Sequence, residues 1–185
     1  MSTSRKRPSA SARKRLESRL AAADSGAIFS EDRCHRYLLW RRVGEGVRTA
    51  LFIGLNPSTA DERRNDPTIR RCISFAVENG AGRLLMSNLY AYRATRPDDL
   101  FLSEDPVGPD TDMWLGAARE LADFTVACWG AEKRAVARAE VVGSGFMQAL
   151  CLGRTASGAP RHPLYVRAGT PLVPLHRERD DERPD

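Results

Sequence analysis

The chain has 185 residues, 42% of them hydrophobic, and a formal net charge of +5. That length supports one domain with a real core and excludes two comfortable ones. No apolar run approaches the roughly 20 residues that span a bilayer, and Cys34, Cys72, Cys128 and Cys151 lie too far apart for a disulfide framework or a cysteine-ligated metal.

A cytoplasmic protein without membrane, metal or cofactor is therefore expected, and nothing in the sequence sets its oligomeric state. The charge sits at the start: residues 1–24 hold seven Lys/Arg and two Asp/Glu, and the rest is neutral. Residues 1–25, with Ser4-Arg-Lys-Arg7 and Arg13-Lys-Arg15, are expected to be a basic, disordered arm. Such an arm either touches phosphates without reading sequence or simply solubilises. Residues 26–176 are expected to form a single α/β domain, and residues 177–185 a charged, frayed tail.

Ile28-Phe29 and Arg36–Arg41 read as an N-terminal pair of strands joined through Ser30–Asp32. Gly44-Glu-Gly46 turns the chain into a buried strand, Leu51–Leu55. That strand ends in Asn56-Pro-Ser-Thr-Ala-Asp61, where Pro57 holds Asn56 in extended geometry. Asp66-Pro67 opens a helix as N-cap and first residue, and Ile69, Cys72, Ile73 and Ala76 give it one buried face. Asn79-Gly80 and Gly82 are expected to close it.

A second buried strand, Arg83–Tyr90, follows, then a long proline-bearing loop over residues 91–109. Asp112–Ala122 reads as a helix with Trp114, Ala117 and Ala118 inward. Phe124–Trp129 is a third strand, residues 131–147 are mostly helix, and Ala149–Leu152 is a fourth short strand. A Gly/Pro-rich loop then carries His162. The alternation predicts a three-layer α/β/α fold whose central sheet is mainly parallel and four-stranded. In such sheets ligands bind at the carboxyl ends of the strands. Asn56, Asn88 and His162 are expected to meet at that edge. Each also has a bland reading: a capped turn, a strand end, a surface-loop histidine.

Two resemblances bear on these residues. Asn56–Asp61, Asp66-Pro-Thr68, Ser87-Asn-Leu-Tyr90 with Arg93, Thr95 and Pro97, and Gly158-Ala-Pro-Arg-His-Pro-Leu-Tyr165 resemble a bacterial and phage family, domain of unknown function 1643. The resemblance covers roughly residues 28–172. The order of motifs also resembles, more distantly, the uracil-DNA glycosylase superfamily, a four-stranded parallel α/β/α fold. That likeness implies that Gly54-Leu-Asn-Pro57 places a water-activating group at Asn56. It further implies that Asn88 pairs with a pyrimidine edge, and that His162 stabilises the departing base. Ser58 stands where that family has glycine, and Leu164 where it has serine. Phe75 is the candidate for the aromatic that stacks on the base, or else a core residue.

The functional expectation is a uracil-DNA-glycosylase-like domain hydrolysing the N-glycosidic bond of a base in DNA or a nucleoside. Asn56 and His162 would be catalytic, and Gly54, Pro57, Ser58, Asn88, Tyr90 and Arg93 substrate-binding. The alternative is a non-catalytic module that binds a nucleotide, a modified base or nucleic acid in the same pocket. A third reading makes Asp61 or Asp66 an acid/base. Arg63, Arg64, Arg70, Arg71 and Arg96 either contact phosphates or form a solvated surface.

Overall fold

The computed structural model describes residues 10–176; the Ser4–Arg7 run and the expected tail at 177–185 lie outside them. The described residues open with helix α1, Ala10–Ala22, where a disordered arm was expected. Ala12, Leu16 and Leu20 recur every fourth residue and all three are buried, so the helix has a face to pack. Its charges lie outside that stripe: Arg13 pairs with Glu17 at 2.9 Å, and Arg15 lies 5.2 Å over the Trp114 ring. Carbonyls left open at its C-terminal end are met by side chains from the sheet. Arg83 donates to Leu20 O at 3.1 Å, and the Trp40 indole to Ala23 O at 3.0 Å.

Seven strands form one sheet: β1 (Ser25–Phe29), β2 (Arg36–Arg42), β3 (Arg48–Gly54), β4 (Ala81–Asn88), β5 (Phe124–Ala127), β6 (Leu150–Cys151) and β7 (Val173–Pro174). Their order is β1-β2-β4-β3-β5-β6-β7. The four central strands, β4, β3, β5 and β6, are mutually parallel, as the alternation predicts. The sheet is wider than four strands because β2 pairs antiparallel with β4 and carries β1, while β7 closes the other edge.

Helix α2 (Pro67–Glu78) connects β3 to β4. Helices α3 (Pro97–Leu102) and α4 (Thr111–Leu121) lie between β4 and β5, and α5 (Val136–Gly143) between β5 and β6. The two faces of the sheet follow the period-two alternation of its strands. Ala50 and Phe52 of β3 pack with Ile69, Cys72 and Phe75 of α2. Leu51 and Ile53 pack on the opposite face, in the cluster that holds Leu16 of α1 and Trp114 and Ala118 of α4.

Asp66 caps α2 as expected, its Oδ1 accepting from Ile69 N at 2.8 Å. Other details differ. The 91–109 segment contains α3, and residues 131–147 divide into a 3-10 turn, Lys133–Ala135, and α5. Gly82 does not end α2 but lies inside β4; a Cβ there would sit 1.5 Å from Gly46 O, so only glycine lets the two backbones cross. Phe75 is 0% exposed beneath α2 and belongs to the core, out of reach of any ligand base.

Leu16→Ala is expected to lower stability by about 3 kcal/mol through transfer and cavity terms, and deleting residues 1–22 by at least as much. Urea denaturation measures both; an unchanged midpoint in the deletion would restore the disordered arm. Asp66→Ala should cost about 1–2 kcal/mol, because it uncaps α2 and also strands the Ala60 N–H.

Candidate functional site at the carboxyl edge of the sheet

β3 and β4 run in register to their ends, Gly54 opposite Asn88. Beyond them Leu89 N donates to Gly54 O at 2.9 Å and Tyr90 N to Leu55 O at 3.0 Å, so the two polar termini stay joined. The Asn88 side chain lies across Gly54: a Cβ on that glycine would be 2.7 Å from Asn88 Oδ1. Asn88 is 2% exposed, and among the described residues neither its Oδ1 nor its Nδ2 has a hydrogen-bond partner. Leaving such a buried group unmatched costs about 1–3 kcal/mol, and folded proteins keep few of them.

Asn56 is half-buried and spends its amide on the backbone. Nδ2 donates to Pro57 O at 2.9 Å and to Ala94 O at 2.8 Å, alongside an Ala94 N to Pro57 O bond of 3.0 Å. The side chain thus staples the turn after β3 to the segment after β4, and Oδ1 is left as its acceptor. Pro57 is buried and Ser58 half-buried in that turn. Tyr90 is buried, its ring edge-on to Phe101 with centroids 5.4 Å apart, and burial raises its phenol pKa.

His162 caps the 3-10 turn Pro163–Tyr165, its Nδ1 accepting from Leu164 N at 3.3 Å. That bond places the proton of the neutral ring on Nε2. Burial holds the imidazole pKa below its ordinary value, and the nearby Asp66 charge opposes the shift. His162 Cβ lies 3.5 Å from the position of a Cβ on Gly130, at the end of the β5 segment. Arg71 secures the histidine turn to α2 by donating to Pro163 O and Val166 O.

Direct contacts therefore join Gly54 to Asn88 and Leu55 to Tyr90, while Asn56, next in the chain, turns its amide to Pro57 O and Ala94 O. His162 belongs to the same sheet edge through Gly130 and Asp66, and among the described residues no hydrogen bond ties it to Asn56 or Asn88. Arg93 stands to the side of β4, its guanidinium 5.2 Å from the Phe29 ring and its Nη1 donating to Arg33 O at 3.3 Å. Asp61 and Asp66 are unsuited to acid/base work. Asp61 Oδ1 accepts from Arg63 N and Arg64 N, and Asp66 accepts from Ala60 N and Ile69 N.

Sequence reasoning missed Arg36. β1 and β2 slip register, Ile28 facing Leu38 but Phe29 facing Arg36. The bulge puts neighbouring Tyr37 and Leu38 into one core cluster and sends Arg36 to the α2 side, where Nη1 donates to Ala60 O at 2.8 Å. A one-residue bulge leaves no mark in the hydrophobic pattern. A separate cavity of about 720 Å³ opens between α5 and the Ser157–Pro160 loop, with Trp129 and Gly130 in its wall. Neither asparagine nor His162 lines it.

Among the described residues, no helix is long and apolar enough to cross a membrane. No curated protein and no solved structure matches the chain. The family model described as protein of unknown function (DUF1643) matches residues 36–164, from the start of β2 to the turn capped by His162. That is more than two thirds of the sequence, and the chain belongs to this family.

Proposed function

We propose that the carboxyl edge of the sheet is a nucleobase site, and that the chain is a uracil-DNA-glycosylase-like hydrolase of N-glycosidic bonds. The observation that carries this reading is Asn88: a buried carboxamide with donor and acceptor both unmatched. A carboxamide of that kind is complementary to a pyrimidine edge, which offers an acceptor beside a donor. The parallel arrangement of the central strands and the helices on both faces agree with the same likeness.

In the reaction, a water oxygen bonds to the sugar C1′ as the C–N bond breaks, and the bonding pair leaves with the base. An amide is too weak a base to take the water's proton, so Asn56 Oδ1 orients the water and the proton goes to solvent or to the departing base. The Nε2–H of neutral His162 supplies a donor for the charge developing on that base. A flipped base would enter at an unstacking cost of a few kcal/mol.

Binding without cleavage is the second reading, and one observation favours it. Both N–H groups of Asn56 are already spent on Pro57 O and Ala94 O, as suits a structural staple. Ser58, which departs from the glycosylase motif, points the same way.

Base release from uracil-, hypoxanthine- and alkylated-base oligonucleotides separates the two. Asn88→Ala should weaken substrate binding, Asn56→Ala should abolish turnover, and His162→Ala should slow it about 10²–10³-fold. Release from no substrate, with nucleosides still raising Tm, would leave the binding module standing. Because burial lowers the His162 pKa, the ring is neutral down through the ordinary histidine range near 6.5. The rate should therefore stay flat from pH 8 to 6.5 and fall only at lower pH; a drop beginning above pH 7 would contradict the role given to His162. Gly54→Ala should remove nucleoside binding together with about 1–3 kcal/mol of stability, since its methyl would meet Asn88 Oδ1 and Met86 Cε.

A further inference from the structure

Arg36 is 2% exposed, yet among the described residues its guanidinium makes a single hydrogen bond, to Ala60 O, and its Nε has no partner. Arg41, on the same strand, is by contrast matched at every guanidinium nitrogen: Nε, Nη1 and Nη2 donate to Asn65 Oδ1 and to the carbonyls of Gly26, Trp40, Asp61 and Arg64. Among the described residues no ion pair includes Arg36. Asp66, the carboxylate whose charge most favours it, has turned both oxygens to backbone N–H groups. A buried charge left in this state is costly unless something pairs with it.

Arg93 repeats the pattern. Its Nε is also buried without a partner, and its charge is close enough to Arg36 to disfavour the second cation. Burial first, and Arg93 further, pull the Arg36 pKa down to about 10. Arg36 and Arg93 stand on backbone paired just beyond the end of β4, Arg36 N donating to Ala91 O at 2.8 Å and Arg93 N to Cys34 O at 2.9 Å. Two guanidinium groups, each with open donors, are the geometry that receives an oxyanion, because their planar forks match phosphate oxygens.

We propose that Arg36 and Arg93 hold the phosphate of a nucleotide whose base is read at Asn88. The inference rests on the base-reading role of Asn88 and adds to it the substrate class: a phosphorylated ligand in preference to a free base or nucleoside. Arg93, only half-buried, meets the ligand first, and Arg36 completes the clamp. The bulge in β2 is what makes this possible, since without it Arg36 would face the other side of the sheet.

Calorimetry and thermal shift on the full chain test this with inorganic phosphate, uridine, uridine 5′-monophosphate and a short single-stranded oligonucleotide, at matched ionic strength. Inorganic phosphate should raise Tm saturably where chloride does not, and the monophosphate should bind at least tenfold tighter than uridine. Tighter binding of the oligonucleotide than of the monophosphate would assign the site to a backbone diester, the reverse to a terminal phosphate. Arg36→Met and Arg93→Gln should shrink the tenfold gap to less than twofold, while the exposed Arg96→Gln keeps it; should Arg36→Met not fold, Arg93→Gln decides. A gap that persists in Arg93→Gln, or a phosphate effect no larger than that of chloride, overturns the proposal. A phosphate response that needs both arginines upholds the clamp even if uridine alone does not bind; the base-reading role of Asn88 would then be what fails.

Discussion

The backbone of Ala60 is the point on which the candidate site hangs. Its carbonyl accepts from buried Arg36, and its N–H donates to the same Asp66 carboxylate that caps α2. One residue's backbone thus ties β2 to the start of α2 across the turn that carries Asn56. Arg41 adds bonds to Asp61 O and Arg64 O, so a loop with little apolar surface is held by hydrogen bonds from charged groups. Such bonds are stronger than neutral ones, and in a water-poor setting losing one partner leaves the other exposed to the full desolvation penalty. Rigidity at this edge comes from that network more than from packing.

Against that satisfied network, the unmatched groups stand out as chemically distinct. Arg41, Asp61 and Asp66 are matched to backbone partners. Asn88 has neither amide atom matched, and Arg36 and Arg93 have bare Nε atoms. Arg83 Nε and His176 Nε2 are unmatched elsewhere, while Asn88, Arg36 and Arg93 lie on neighbouring strands or the segment just beyond them, at the end of the sheet where a doubly wound fold opens. Stability alone would favour apolar residues of similar shape there; under the proposed reading a ligand supplies the missing partners.

Much of the scaffold was legible because local signals agreed. Asp66-Pro67 with an apolar stripe left no alternative to α2, and the runs ending in Asn56, Asn88 and Trp129 could only be buried strands. What escaped was decided by tertiary context. In α1 the stripe is three residues wide, Ala12, Leu16 and Leu20, among many charges, and becomes a face only when α4 is there to cover it. β7 is two residues long and has no period to read. Gly82 looked like a helix terminator because the crossing of Gly46 over it is a contact between distant segments. The site itself was half visible: Asn56, Asn88 and His162 could be named from their strand ends and loop. The commitment of the Asn56 amide to Ala94 O, and the turning of Arg36 by a bulge, depend on residues far away in the chain.

The departure at position 164 bears on how His162 is prepared for chemistry. Where the resembling motif has serine, this chain has leucine, with its side chain 44% exposed. A change of that kind would matter if the serine hydroxyl were needed to set the histidine tautomer. Here the backbone N–H of Leu164 performs that task, donating to Nδ1 and leaving the proton on Nε2. Any residue except proline supplies that N–H, so the orientation of the ring survives the substitution. Burial then keeps the ring neutral, and Arg71 anchors the turn through main-chain carbonyls that no side-chain change removes. Under the glycosylase-like reading the histidine machinery is written into the backbone of this turn, and leucine at 164 costs it nothing. Ser58 is the harder departure, because it adds a side chain in the turn that a base would have to approach.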